Sequence, residues 1–202
     1  MLDYSYETEA HNNGYAVVCG VDEAGRGPLA GPVFAAAVIL PENYSHEILN
    51  DSKKLSEKKR DSVYDDIIKD AICWSVGTAD EKEIDDINIL NATFLAMKRA
   101  VEGLEIKPDL AYIDGNAYPK TGVKEIAIVK GDSKCMSVAA ASIIAKVRRD
   151  RFMTELDSQY PEYMFSKHKG YGTKLHYELI EKYGISPVHR RSFLKKITGE
   201  YK

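Results

Sequence analysis

Hydrophobic positions along this chain follow two patterns: short unbroken apolar runs, and longer stretches in which apolar residues return every three or four positions. The runs at 16–21 and 33–40 predict buried strands, the second ended by Pro41. The brief connection across Gly31-Pro32 makes them antiparallel neighbours. Further strands are predicted at 72–79, with Trp74 and Val76 on one face, at 110–113 and at 125–129. Helical spacing begins after Ser56, a suitable N-cap, and runs to about residue 69 with Val63, Ile67 and Ile68 as its apolar face. Charged residues 80–86 open a short helix, and 88–101 form a better one, with Ile89, Leu90, Phe94, Met97 and Val101 at helical spacing. The longest helix is predicted at 134–158, where the small residues of 137–145 suit close packing against a sheet.

Pro161 breaks the pattern. A basic aromatic loop follows at 165–173, then a helix capped by Thr173 and reaching about residue 183, then a basic segment at 186–193. Strands alternating with helices place the chain in the α/β class. Residues 1–14 read as a polar leader and 15–158 as the core; 159–202 read as a basic helical extension of the same domain, because no linker or shift in composition sets them apart.

Three of the predicted strands run into an acid beside a glycine: Asp22-Glu23-Ala24-Gly25, Asp114-Gly115 and Gly131-Asp132. Where such strands lie parallel, the crevice at their C-terminal ends is the expected place for chemistry. Neighbouring residues of a strand face opposite ways, so Asp22 and Glu23 share a site only if the strand stops there. An Asp in such a place also serves as a turn residue or, for Asp132, as a cap on the following helix. Three Asp and one Glu without a Cys/His cluster suit hard divalent cations, magnesium or manganese, better than zinc. Two such ions roughly 3.5–4 Å apart activate water and steady a leaving oxygen in phosphodiester hydrolysis. His168, His176 and His189 are too dispersed in the sequence for a zinc spacing.

Charge sharpens this picture. The formal net charge is −3, but residues 134–196 hold 13 Lys or Arg against 6 Asp or Glu. An acidic centre beside a basic surface suits a polyanionic substrate; a merely solvated basic surface is the alternative. The three cysteines are widely separated and read as reduced structural thiols. No apolar run is long enough to span a bilayer and no secretory signal opens the chain, so a cytoplasmic protein is expected, and with no obvious partner helix or repeat a monomer is the default.

The motifs Asp22-Glu23-Ala24-Gly25-Arg26-Gly27, Asp51-Ser52-Lys53-Lys54-Leu55, Asp114-Gly115 and Gly131-Asp132-Ser133-Lys134 carry a specific likeness. They are followed in order by Ala139-Ala140-Ala141-Ser142-Ile143, Ala145-Lys146-Val147-Arg148-Arg149-Asp150 and His168-Lys169-Gly170-Tyr171-Gly172-Thr173. From Val17 to Phe193 the chain resembles the type-2 ribonucleases H, the ribonuclease HII family. The resemblance implies a ribonuclease H-like mixed β-sheet flanked by helices, with a C-terminal helical extension. It implies hydrolysis of the RNA strand of RNA–DNA hybrids and incision 5′ of single ribonucleotides embedded in duplex DNA. It assigns Asp22, Glu23, Asp114 and Asp132 to the divalent metals, and Gly25, Arg26 and Gly27 to a turn that senses the ribose 2′-hydroxyl through its backbone. Tyr171 falls to the ring that packs on the sugar beyond the RNA–DNA junction, and the resemblance makes Lys53, Lys146 and the basic C-terminal segment candidate phosphate contacts.

The chain departs from the family's usual serine at Cys135, which weakens any hydrogen bond that hydroxyl makes. Three other readings compete: a ribonuclease H restricted to longer hybrids, a non-catalytic nucleic-acid-binding protein, and a dinucleotide-binding enzyme. The glycine interval of 25–31 does not fit the last.

Overall fold

The computed structural model describes residues 2–49 and 55–198, with side chains to 195. Its centre is a five-stranded mixed sheet: β1 (Val18–Ala24), β2 (Val33–Ile39), β3 (Cys73–Ala79), β4 (Leu110–Asp114) and β5 (Lys124–Ile128). The spatial order is β3-β2-β1-β4-β5; β1 is antiparallel to β2 and parallel to β4, and β5 runs parallel to β4. The mixed α/β architecture is therefore the one expected.

Strand β2 is buried at all seven positions because a helix covers each face. Ala36 and Val38 pack under α4 (Met136–Gln159) and α2 (Glu57–Asp70), whereas Val33, Ala35, Ala37 and Ile39 pack under α3 (Glu81–Glu102). The two-residue period of the strand makes this division. Gly20 in β1 allows the closest approach: a β-carbon there would lie 2.1 Å from the Ser137 carbonyl carbon of α4. The small residues of α4 thus meet a position in the sheet that also lacks a side chain.

The predicted break between two helices at 86–88 is present within α3, where Asn88 has φ 66° and its Oδ1 accepts the N–H groups of Leu90 and Asn91. Leu90, counted on the apolar face, is exposed instead. Three short helices, α5 (Phe165–His168), α6 (Lys174–Tyr183) and α7 (Arg191–Thr198), form the C-terminal region, so part of the predicted loop at 165–173 is helical.

The supposed polar leader is also structured. Residues Ser5–Asn12 form α1, and Glu7 is buried against the start of α4. Its Oε1 accepts the Ser137 N–H at 2.7 Å, the Ser137 hydroxyl at 2.7 Å and the Cys135 thiol at 3.1 Å. Cys135 is the N-cap of α4 but makes no side-chain cap bond, so a carboxylate from a distant helix satisfies the α4 terminus instead. Among the described residues, no helix is long and apolar enough to cross a membrane.

Candidate active site

The acids at the sheet's C-terminal edge owe their positions to where strand pairing ends. The parallel β1–β4 ladder reaches only Val21 and Ile113, while β1 continues against β2 through the pairs Asp22–Ala36, Glu23–Ala35 and Ala24–Phe34. The strand therefore does not stop at Asp22, contrary to the sequence-based condition. It leaves β4 instead, and the two carboxylates stand where the sheet opens. Asp114 ends β4, and a 3₁₀ turn at Gly131–Ser133 follows β5 and carries Asp132. Lys130, in the left-handed region at φ 59°, starts that turn. The Gly131 N–H then donates to Asp114 Oδ1 at 2.6 Å, which joins the Asp132 turn to the end of β4.

Asp22 is buried, and its carboxyl is held well above the usual carboxylate range, first by burial and then by the charges of Glu23 and Asp114. A hydrogen bond from Ser142 of α4 and the Glu23 N–H, 2.7 Å from Oδ1, oppose that rise. Burial also raises Glu23, and Arg26, 3.3 Å away, counteracts it. Asp22, Glu23 and Asp114 thus form one electrostatic group, and Asp132 lies on the adjoining turn.

The donor set is all oxygen, and the charges of Glu23 and Asp114 disfavour the ionised form of Asp22 between them, so it fits a hard divalent cation in chemistry. Among the described residues, no three acidic, His or Cys side chains are drawn in to share one ion. Glu23 is turned to Arg26 and Asp114 to the Gly131 amide.

Beside the acids, Glu23, Gly25, Ser142, Lys146 and Tyr171 line a cleft of about 300 Å³. Gly25 has φ +97°, a conformation that favours glycine, and Arg149 packs where a β-carbon would stand. A β-carbon on Gly27 would lie 3.9 Å from the Tyr171 ring, an ordinary van der Waals separation, so the turn passes beside the ring. Tyr171 is 41% exposed, with Lys146 and Arg149 over its ring at 5.9 and 5.7 Å. Lys146 is also tied to Asp150 at 2.5 Å, the pairing its i,i+4 spacing predicts. Lys53 lies outside the described residues.

Sequence reasoning missed four parts of this region. Ser142 touches Asp22, and Arg149 and Arg190 are fully buried behind the glycine turn rather than forming a basic surface. The three histidines, far apart in sequence, are buried together in the C-terminal region. Their tautomers follow from the backbone. The Ser186 N–H donates to His189 Nδ1, so His189 Nε2–H donates to His176 Nε2 at 3.1 Å, and His176 Nδ1–H donates to the Tyr171 carbonyl at 3.0 Å. The Gly170 N–H likewise donates to His168 Nδ1, and His168 Nε2–H donates to the Tyr163 carbonyl. These rings order the loop behind Tyr171.

Comparison with known proteins bears on the family and the fold. The sequence model for Ribonuclease HII matches residues 19–196. A ribonuclease HII of Caldicellulosiruptor bescii is 55% identical over 194 residues, 96% of this chain and 94% of that protein. One of Vibrio campbellii is 55% identical over 188 residues, 92% of this chain and 89% of that protein. The crystal structure of the ribonuclease H2 from Pyrococcus horikoshii OT3 superposes with a TM-score of 0.71 at 31% identity, covering 87% of this chain and 93% of that one.

Proposed function

The chain belongs to the ribonuclease HII family and is a ribonuclease H hydrolase, an endonuclease; from that premise we propose that it hydrolyses the RNA strand of RNA–DNA hybrids and incises 5′ of single ribonucleotides in duplex DNA. The observation that carries the finer specificity is the glycine turn's place beside the exposed Tyr171 ring, for Gly25 and Tyr171 both line the cleft that Glu23 also lines. A backbone reader of the 2′-hydroxyl must come close to the sugar, and glycine allows that approach. The exposed ring offers a flat apolar face to the next sugar. Lys146 and the positive charges beside it steady the phosphates.

Asp22, Glu23, Asp114 and Asp132 would hold magnesium or manganese, which when bound supplies the activated water and the stabilisation of the leaving oxygen. The chain's own part is to fix those oxygens. Ser142 and the Glu23 amide orient Asp22, and the Gly131 amide orients Asp114. On this reading 15–158 is the catalytic core, 159–202 extends its substrate surface, and the enzyme acts as a cytoplasmic monomer in ribonucleotide removal during DNA replication and repair.

The test is a product map from a duplex with one labelled ribonucleotide and from a uniform hybrid, each with magnesium, manganese or chelator. Incision 5′ of the lone ribonucleotide, abolished by chelator, is expected. Cleavage of the uniform hybrid alone in both metals would restrict the enzyme to longer hybrids.

A further inference from the structure

Arg190 lies in the basic segment that the sequence offers as a phosphate surface, yet it is 0% exposed. Its guanidinium donates three hydrogen bonds, all to carbonyls of one stretch of chain: Nη2 to Gly25 at 2.7 Å, Nη1 to Arg26 at 3.0 Å and Nε to Gly31 at 2.8 Å. Its backbone N–H donates to Leu29 at 2.8 Å. Among the described residues, no carboxylate lies within ion-pairing distance of it. Burial, and then the neighbouring Arg149, lower its affinity for the proton, to a pKa of about 9, so it remains charged at neutral pH. Burying a cation on carbonyls is unfavourable even with Glu81 and Asp85 attracting it from beyond ion-pair distance, and an apolar side chain would fill the space more easily. The arrangement calls for a reason beyond packing.

Peptide planarity supplies one. In a trans peptide the carbonyl of one residue points opposite to the N–H of the next. Drawing the Gly25 and Arg26 carbonyls onto a buried guanidinium therefore turns the N–H groups of Arg26 and Gly27 away from the protein interior. Both residues are exposed, and among the described residues neither N–H has a hydrogen-bond acceptor. We infer that Arg190 is the positioning residue of the glycine turn, holding the Arg26 and Gly27 amides as a preformed donor pair for a sugar hydroxyl. The inference rests on the reading of that turn given above and adds the group that enforces it. A lysine would keep the charge but not the planar fork that spans three carbonyls. Arg149 closes the other side. Its guanidinium donates to the Pro32, Ala30 and Lys169 carbonyls while its stem packs on Gly25.

The experiment compares binding of metal-free wild type and Arg190→Lys to two duplexes that differ in one sugar, ribose or deoxyribose. Wild type should prefer the ribose duplex by about tenfold, the worth of one or two hydrogen bonds. Arg190→Lys should lose that preference while keeping its affinity for the all-deoxy duplex. Equal preference in wild type and folded Arg190→Lys would overturn the inference alone. No preference in wild type would overturn the reading of the turn and the inference with it. Should the variant not fold, the amide resonances of wild-type Arg26 and Gly27 decide the question. Shifts with the ribose duplex and not with the deoxyribose duplex support the inference, and unmoved resonances sink it.

Discussion

Asp22 shows how a residue can weaken the protein that needs it. The carboxyl is buried beside Glu23 and Asp114, an environment that disfavours its charged form. The folded-state affinity for the proton is raised, so the group favours folding at low pH, and that contribution is lost as pH rises through the folded pKa. At neutral pH in metal-free buffer, Asp22→Asn should therefore raise stability by about 1 kcal/mol, or about 2–4 °C in Tm, while abolishing cleavage. Calorimetry with and without chelator, alongside a cleavage assay, checks both halves; a less stable metal-free variant would count against an uncompensated carboxylate cluster. Gly25 matters for the opposite reason, since it works by what it lacks. A side chain there would strike Arg149.

Among the elements, α4 does the most to build the site. It covers the sheet through Gly20, supplies Ser142 to Asp22, carries Lys146 into the cleft wall and sets Arg149 behind the glycine turn. Its N-terminus has no cap from its own sequence, because Cys135 stands at the capping position and makes no cap bond. The buried Glu7 carboxylate of α1 replaces it. Glu7→Ala leaves the Ser137 amide and hydroxyl without their acceptor, so it should cost about 1–3 kcal/mol in urea unfolding. Removal of residues 1–14 should destabilise at least as much, and unchanged unfolding midpoints in both proteins would show α1 to be dispensable. Cleavage by the folded fraction should survive, because the hydrogen bonds of Glu7 go to Cys135 and Ser137 and not to the four site acids.

For the molecule as a whole, the C-terminal region is attached to the core through buried polar groups, and these set its response to acid. Burial lowers the pKa of His176 and His189 to about 4, against 6.5 for an ordinary histidine. The unfolded chain therefore binds more protons between those values. Stability is complete above about pH 6.5 and falls as the pH drops toward 4. A Tm series over that range should show the decline, and His176→Asn with His189→Asn should flatten it; a slope unchanged by the double substitution would place the acid sensitivity elsewhere.

Much of this architecture was legible in the sequence. The strand and helix periods, the break at Asn88, and the acids at the strand ends are local features, written in side-chain alternation and turn chemistry within a few residues. The family motifs lie in the same local stretches. What the chain alone could not decide is which charged groups are buried and what they hold. Arg190 meets carbonyls 165 and 164 positions away, Glu7 meets an amide 130 positions away, and the histidines converge from three separate segments. A basic residue looks the same in sequence whether it faces phosphate or a buried carbonyl. Only the fold, by bringing distant backbone into hydrogen-bond range and excluding water around it, separates the two.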